Sequence, residues 1–257
     1  MRILIASDVD GVLRYRKEPL APELERAILD CRDTRGSAIM VHRCLITAAP
    51  LAHLPRLGVE FGLAESGGII RYASGETFTF DQGTDDILRL REFLGIAVEN
   101  GPETLTEGRV IIEGIRRTSL TLLFGAPPHY AGIKTAASVA DVLTRIQEYI
   151  NASDARLHIY CAATKSYEWI DVMTWSKERA ISLLIAQMRY DKMYYLGDGT
   201  NDLPVMQRRD VIPVGFTNSI AEIRDLAEER GIFINREGPL GGAEEFFRLF
   251  AQNRLLR

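Results

Sequence analysis

The chain has 257 residues, of which 46% are hydrophobic, 26% charged and 8% aromatic. This ordinary globular composition excludes a collagen, a disordered tail and a disulfide-stapled miniprotein. Lys and Arg number 31 against 35 Asp and Glu, a net charge of −4, so the overall basic excess of a nucleic-acid binder is missing.

At roughly 100–200 residues per domain, the length allows one large domain or two smaller ones. Cys31, Cys44 and Cys161 are scattered and form no CxxC pair, which reads as reduced thiols in a reducing compartment. The apolar run at Ile3 to Ala6 is too short for a signal peptide. No stretch approaches the ~18–20 apolar residues of a membrane span. A soluble cytoplasmic protein is expected, with neither nucleic acid nor membrane as a partner.

Ile3 to Ala6 is a short apolar run that ends at Ser7-Asp8, the pattern of a strand buried on both faces of a parallel sheet. Pro22 to Arg32 reads as a helix, with Leu24, Ala27, Ile28 and Cys31 on one face, and Gly36 closes the segment. Two separate apolar pieces follow, Ile39-Met40-Val41 and Cys44-Leu45-Ile46. Pro50 to Leu57 reads as a helix, and Glu65 to Ile70 as a turn into a strand. Thr84 to Leu94 is a helix candidate, Val110 to Ile112 and Leu120 to Phe124 are strand candidates, and Pro127-Pro128 breaks the chain. Ser138 to Ile150 is amphipathic and helical. Leu157 to Tyr160 and Trp169 to Val172 read as a hairpin pair. Lys177 to Met188 is helical, Met193 to Leu196 a buried strand ending at Gly197-Asp198, and Ile212 to Gly215 a further strand. Ile220 to Arg230 and Glu244 to Asn253 complete the helices, with a flexible-looking loop at Gly238 to Gly242.

Strand and helix alternate at both ends of the chain, which predicts an α/β fold with a parallel sheet. The strand-rich middle predicts an inserted α+β domain. The expected organisation is a core of residues 1–81 and 173–257 and an insertion of residues 82–172.

Two acidic clusters carry the chemistry. Asp8-Val9-Asp10-Gly11-Val12-Leu13 directly follows the first strand. In extended chain, carboxylates one residue apart point the same way, and ligands of open parallel sheets bind at the carboxyl ends of the strands. Gly11 lets the backbone turn and approach a ligand closely. Gly197-Asp198-Gly199-Thr200-Asn201-Asp202 directly follows the strand at Met193 to Leu196. Alone, each cluster is also readable as a polar turn, the second with Asp202 as a helix cap. Adjacent strand ends would combine them into an oxygen-rich site for Mg²⁺.

The chain resembles the haloacid dehalogenase-like phosphohydrolases over nearly its whole length. Their first motif, DxDG(T/V), matches Asp8 to Val12, and their fourth, GDxxND, matches Gly197 to Asp202. Their third, a lysine opening a helix, matches Lys177-Glu178-Arg179-Ala180-Ile181, with Glu178 where a glycine is frequent. Ala64-Glu65-Ser66-Gly67-Gly68-Ile69-Ile70 is similar to the (A/T)-E-N-G signature of the subgroup with a large cap inserted after the third core strand, with Ser66 in place of Asn. That subgroup includes Cof-type, sucrose-phosphate, mannosyl-3-phosphoglycerate and phosphoglycolate phosphatases and phosphomannomutases. The second motif, T-G-R, is matched best by Thr47-Ala48-Ala49, where alanines replace Gly and Arg. A different alignment places His42-Arg43 there.

The resemblance implies a Rossmann-like core with an α+β cap and a Mg²⁺-dependent phosphatase acting on a small phosphorylated metabolite. Asp8 would be the nucleophile and Asp10 the general acid and base. Thr47, Lys177 and Gly11 would bind phosphate. Asp8, Asp10, Asp198, Asn201 and Asp202 would hold or orient the metal. Arg116, Arg117 and Lys134 in the insertion would reach substrate, or else form a solvated face. His42, His53, His129 and His158 show no metal-ligand spacing, Trp169 and Trp175 suit packing better than sugar stacking, and Cys44 reads as a buried thiol. Two other readings stay open. One is a phosphomutase of the same fold, the other a catalytically weak ligand-binding member. The chain would be a monomer or homodimer.

Overall fold

The computed structural model describes residues 1–15, 18–31, 39–80, 84–96, 105–106, 110–112, 116–125, 138–164 and 166–255. The chain divides into two compact units, one of Met1–Phe78 with Lys177–Arg257 and one of Thr79–Ser176. Gly36, Pro127-Pro128 and His129 lie outside the described residues.

In the first unit, β1 (Arg2–Asp8) is the central strand of a predominantly parallel sheet. On one side of it lie β2 (Met40–Ile46), β3 (Phe61–Ala64), β4 (Ile69–Tyr72) and β5 (Thr77–Thr79). On the other lie β11 (Lys192–Leu196), β12 (Ile212–Phe216) and β13 (Ile232–Ile234). From β13 through β3 the neighbours run parallel, and β4 turns back antiparallel to β3. Every residue of β1 after Arg2 is buried. This explains the unbroken apolar run, because helices cover both faces of such a sheet. Helices α1 (Pro22–Asp30) and α7 (Ala243–Ala251) bring Leu24, Ile28, Phe246, Phe247 and Phe250 into the core with Ile3, Ile5 and Tyr194. The α4 (Lys177–Met188), α5 (Leu203–Met206) and α6 (Ala221–Arg230) helices complete the unit.

The second unit is a five-stranded antiparallel sheet in the order β6 (Leu105–Thr106), β7 (Val110–Ile112), β8 (Ser119–Gly125), β10 (Tyr167–Met173), β9 (His158–Ala163). Helices α2 (Thr84–Phe93) and α3 (Val139–Ala152) pack on it through Ile87, Leu90 and Ile146, against Leu120, Leu122, Ile170 and Val172. The Ser138 side chain caps α3 by accepting from the Asp141 N–H.

The structure corrects three local expectations and adds two short strands. Residues 40–46 form one strand instead of two pieces. The polar interruption is tolerated because buried Arg43 donates to Glu60 at 2.7 Å and to the carbonyls of Ile28 and Gly58. The helix expected over Pro50 to Leu57 is a single 3₁₀ turn at Leu51–His53. Pro55 forces the preceding Leu54 into extended backbone, which ends the turn. Strands β5 and β13, three residues each, carry too short a pattern to be read from sequence. The loop at Gly238–Gly242 is a packed π-type turn in which Gly238 and Gly242 are buried.

Gly67, in the 3₁₀ turn Glu65–Gly67, sits at φ 102°, and a Cβ there would lie 2.2 Å from the Ala180 Cβ of α4. Gly75 has a similar φ of 88° but open space around it. Gly75→Ala should therefore cost about 1 kcal/mol of backbone strain. Gly67→Ala should cost about 3 kcal/mol or more, because overpacking adds to the strain. Urea unfolding of the two variants measures the difference; equal losses would show that the contact with α4 does not constrain the turn.

Candidate active site

Three parallel strands end in step. Ser7 pairs in register with Leu45 and Leu196, and Asp8 with Ile46. Asp8 closes β1, Thr47 directly follows β2, and Gly197-Asp198 directly follows β11. Neighbouring strands diverge in connection at β1, so this is the crevice where a doubly wound sheet takes a ligand.

Lys177 opens α4 and is 1% exposed. Its Nζ lies 2.9 Å from Asp8 Oδ1 and 2.7 Å from Asp202 Oδ1. The helix dipole disfavours a cation at this end, and the two carboxylates outweigh it. Asp202 is fully buried. Its Oδ1 also accepts the Tyr195 hydroxyl at 2.7 Å, and its Oδ2 accepts the backbone N–H groups of Asp198 and Gly199 at 3.2 and 3.1 Å. Asp8 Oδ1 accepts the Val9 N–H as well. Carboxylate oxygens of Asp8, Asp198 and Asp202 all lie within 4.8 Å of one another.

Three carboxylates thus share one ammonium. Burial lifts the Asp8 carboxyl to about 7, opposed by Lys177 and reinforced by repulsion from Asp202 and Asp10. Burial and the charges of Asp8 and Asp202 push Asp198 well above the usual carboxylate range. Lys177 is pulled down by desolvation, but Asp202 and Asp8 hold it above the ordinary lysine value. With all groups ionised the cluster carries two uncompensated negative charges. A hard divalent cation with oxygen ligands fits that donor set and that charge.

The glycines and a third loop hold the cluster tight. Gly11 has φ 92°, and a Cβ there would fall 2.1 Å from Asp198 Oδ2, so the DxDG turn and the Asp198 carboxylate touch. A Cβ on Gly197 would lie 2.6 Å from that of Asp202. The loop after β12 fastens both turns. Asn218 Nδ2 donates to the Gly11 carbonyl at 2.7 Å, the Ser219 hydroxyl to the Gly197 carbonyl at 3.1 Å, and the Ile220 N–H to the Asp198 carbonyl at 2.9 Å. Asn218 Oδ1 in turn accepts the Gly238 N–H at 2.9 Å. Asn218, Ser219 and Tyr195 were not among the sequence candidates. The first two had a signal, a polar Thr217-Asn218-Ser219 run at the carboxyl end of another strand.

Thr47 is 2% exposed and its Oγ1 accepts the Ala49 N–H at 3.0 Å. Arg43 lies inside β2, bonded to Glu60, and His42 Nδ1 meets the Tyr190 hydroxyl at 2.8 Å. Asp10 stands outside the three-acid cluster and pairs with Arg14 at 3.1 Å, while the Asn201 Oδ1 lies over Gly199. Arg116 and Arg117 belong to the second unit. Lys134 lies outside the described residues. All three cysteines are free, Cys31 and Cys44 buried, and burial pushes the Cys31 thiol up to about 12 and Cys44 up as well. Neither is a nucleophile.

Solved structures share this α/β sheet with its inserted α+β unit. A Thermoplasma acidophilum protein, 0175, superposes with a TM-score of 0.65 at 17% identity, over 97% of this chain and 98% of its own. A haloacid dehalogenase-like hydrolase from Bacteroides thetaiotaomicron gives 0.62 at 14%, over 97% and 100%. Trehalose-6-phosphate phosphatase of Aspergillus fumigatus gives 0.59 at 16%, over 98% and 93%. No protein-family model and no curated protein matches the sequence. This chain has the fold of the haloacid dehalogenase-like hydrolases. Among the described residues no helix is long and apolar enough to cross a membrane.

The raised carboxyl groups make stability depend on pH. Asp8 titrates near 7 when folded against 3.8 for a free carboxyl. A raised folded-state value stabilises below the unfolded value and is lost as pH rises through the folded one. In EDTA the protein should therefore lose up to about 4 kcal/mol between pH 4 and pH 8 from this group, at about 1.4 kcal/mol per pH unit. Mg²⁺ should flatten the slope. Urea midpoints across that range, with and without Mg²⁺, measure it; a slope indifferent to Mg²⁺ would deny the cation a place at Asp8.

Proposed function

We propose that this protein is a Mg²⁺-dependent phosphomonoesterase that hydrolyses a small phosphorylated metabolite through an aspartyl-phosphate on Asp8. The observation that carries the reading is Lys177, buried and bridging Asp8 and Asp202 beside Asp198. A nucleophile held between an ammonium and a cation-deficient acid cluster suits attack on a dianionic phosphate. The fold shared with haloacid dehalogenase-like hydrolases supports it. Sugar phosphates, a mannosyl-3-phosphoglycerate-like ester and phosphoglycolate are the substrates this reading admits.

Asp8 Oδ1 is committed to Lys177 and the Val9 N–H, so the other oxygen attacks phosphorus. The bond from phosphorus to the leaving oxygen breaks as the bond to Asp8 forms. Asp10 gives its proton to the leaving oxygen and then takes one from the water that hydrolyses the aspartyl-phosphate. Lys177 and the Thr47 hydroxyl stabilise the equatorial oxygens. The side chains of Asp8 and Asp198 and the carbonyl of Asp10 would hold Mg²⁺, which would supply further charge neutralisation. Asp202 already accepts four hydrogen bonds, and that suits it to orient Lys177 and the Asp198 turn. The chain works in the cytoplasm in this reading.

Phosphate release from p-nitrophenyl phosphate and a panel of small phosphate esters tests the proposal. Activity should need Mg²⁺ and vanish with EDTA. Asp8→Asn should lower it by about a thousandfold or more, as loss of a covalent nucleophile does. Full activity in that variant, or none in the wild type with Mg²⁺, would sink the reading.

A further inference from the structure

We propose that Arg14 is the positioning residue for Asp10, holding the acid–base carboxylate out of the three-acid cluster with one oxygen engaged and the other open to the leaving group. The proposal rests on the phosphatase reading above. Spacing and geometry disagree here. Asp8 and Asp10 share one motif, yet only Asp8 joins the cluster with Asp198 and Asp202. Asp10 is drawn instead to Arg14, whose Nε lies 3.1 Å from Asp10 Oδ1.

The guanidinium is fixed from three sides. Beyond Asp10, its Nη1 donates to the Glu18 carbonyl at 3.1 Å and its Nη2 to the His53 carbonyl at 2.6 Å. These acceptors sit on separate chain segments, one after the DxDG turn and one in the 3₁₀ turn at Leu51–His53. Backbone bonds reinforce the geometry. The Gly11 N–H donates to the Arg14 carbonyl at 2.8 Å, and Asp10 and Arg14 form an isolated bridge. The Arg14 side chain is 11% exposed and that of Asp10 27%, so the anchor is interior and the carboxylate reaches open space. Three donors aimed at three fixed acceptors require the planar fork of arginine, which a lysine does not reproduce.

The consequence is directional. With Oδ1 committed to Arg14, Oδ2 is the oxygen that carries the proton to the leaving group. Without Arg14, Asp10 is free to turn among conformers that do not face the leaving oxygen, and general acid catalysis is lost while the nucleophile, Lys177 and the cluster stay in place.

A pair of aryl esters of similar shape separates this from a merely structural role. Nitrophenolate leaves without protonation, whereas the far more basic phenolate needs the acid. The ratio kcat/KM covers the steps through phosphorylation of Asp8 and is blind to the later hydrolysis. Arg14→Gln and the milder Arg14→Lys should lower kcat/KM for phenyl phosphate by roughly tenfold or more, within the span of general acid catalysis. For p-nitrophenyl phosphate the loss should stay under about threefold. In an Asp10→Asn background, Arg14→Gln should add almost nothing, because the two residues act as one unit. Arg14→Lys guards against misfolding of the glutamine variant, with urea midpoints measured for both. Equal losses on the two esters, or a full additional loss in the Asp10→Asn background, would overturn the proposal and leave the phosphatase reading intact. A wild type that releases phosphate from neither ester with Mg²⁺ would overturn both.

Discussion

The site depends on one buried ammonium. Lys177 sits between Asp8 at 2.9 Å and Asp202 at 2.7 Å, with almost no contact with solvent. Burying a charge costs several kcal/mol unless partners replace its water. Here both partners are acids that themselves need a cation, so each member is tolerable only because the others are present. The arrangement demands that the end of β1, the start of α4 and the turn after β11 meet at one point. A parallel sheet with β1 at its centre and β2 and β11 on its flanks meets that demand, because its strand ends lie side by side.

Closeness is then a matter of glycine and of a third loop. A side chain on Gly11 would occupy the space of the Asp198 carboxylate, and one on Gly197 would strike Asp202. These glycines allow acids from different turns to approach until they repel one another, and burial, reinforced by that repulsion, raises Asp8 and Asp198. Asn218, Ser219 and Ile220 hold the two turns in that unfavourable proximity through three backbone carbonyls. The packed turn at Gly238 supports Asn218 from behind. The site therefore stores electrostatic repulsion that a bound cation would relieve.

Much of this was legible in the sequence because acids at a strand's carboxyl end are a local pattern. Asp8, Asp10, Asp198 and Asp202 follow directly from apolar runs, and Lys177 opens a clear helix. The parallel α/β sheet was legible through alternation of elements. Residues whose role depends on distant chain were not. Asn218 meets Gly11 across 207 positions. Tyr195 looks like any buried strand aromatic, yet its neighbour Tyr194 packs against Phe246 and Phe250 while Tyr195 bonds Asp202. Arg14 follows two apolar residues and carries no signal until His53 and Glu18 surround it. The reverse error came at Pro50 to Leu57, where local pattern suggested a helix and Pro55 stopped it.

The turn after β2, which the resemblance aligns with a second motif, becomes intelligible at the same level of detail. The residue pair after Thr47 is Ala48-Ala49, so the turn has neither the glycine nor the arginine of the T-G-R pattern that the resemblance sets beside it. Its shape comes from opposite the chain. The Glu65 N–H donates to the Ala49 carbonyl at 3.0 Å and the Ser66 N–H to the Thr47 carbonyl at 2.9 Å. Glu65 and Ser66 take left-handed backbone, at φ 49° and 58°, to make those bonds. Such conformers are costly for residues other than glycine and persist when their surroundings over-determine them. The Thr47 hydroxyl accepts the Ala49 N–H, which uses a lone pair and leaves its own hydrogen to donate. A phosphate oxygen at that hydroxyl is compatible with the turn as built. Arginine's usual contribution of charge is not replaced by Arg14, whose donors are turned to Asp10, Glu18 and His53. In the proposed reading, anion binding by the first unit therefore leans on Lys177, and the same ammonium that assembles the site also meets the phosphate.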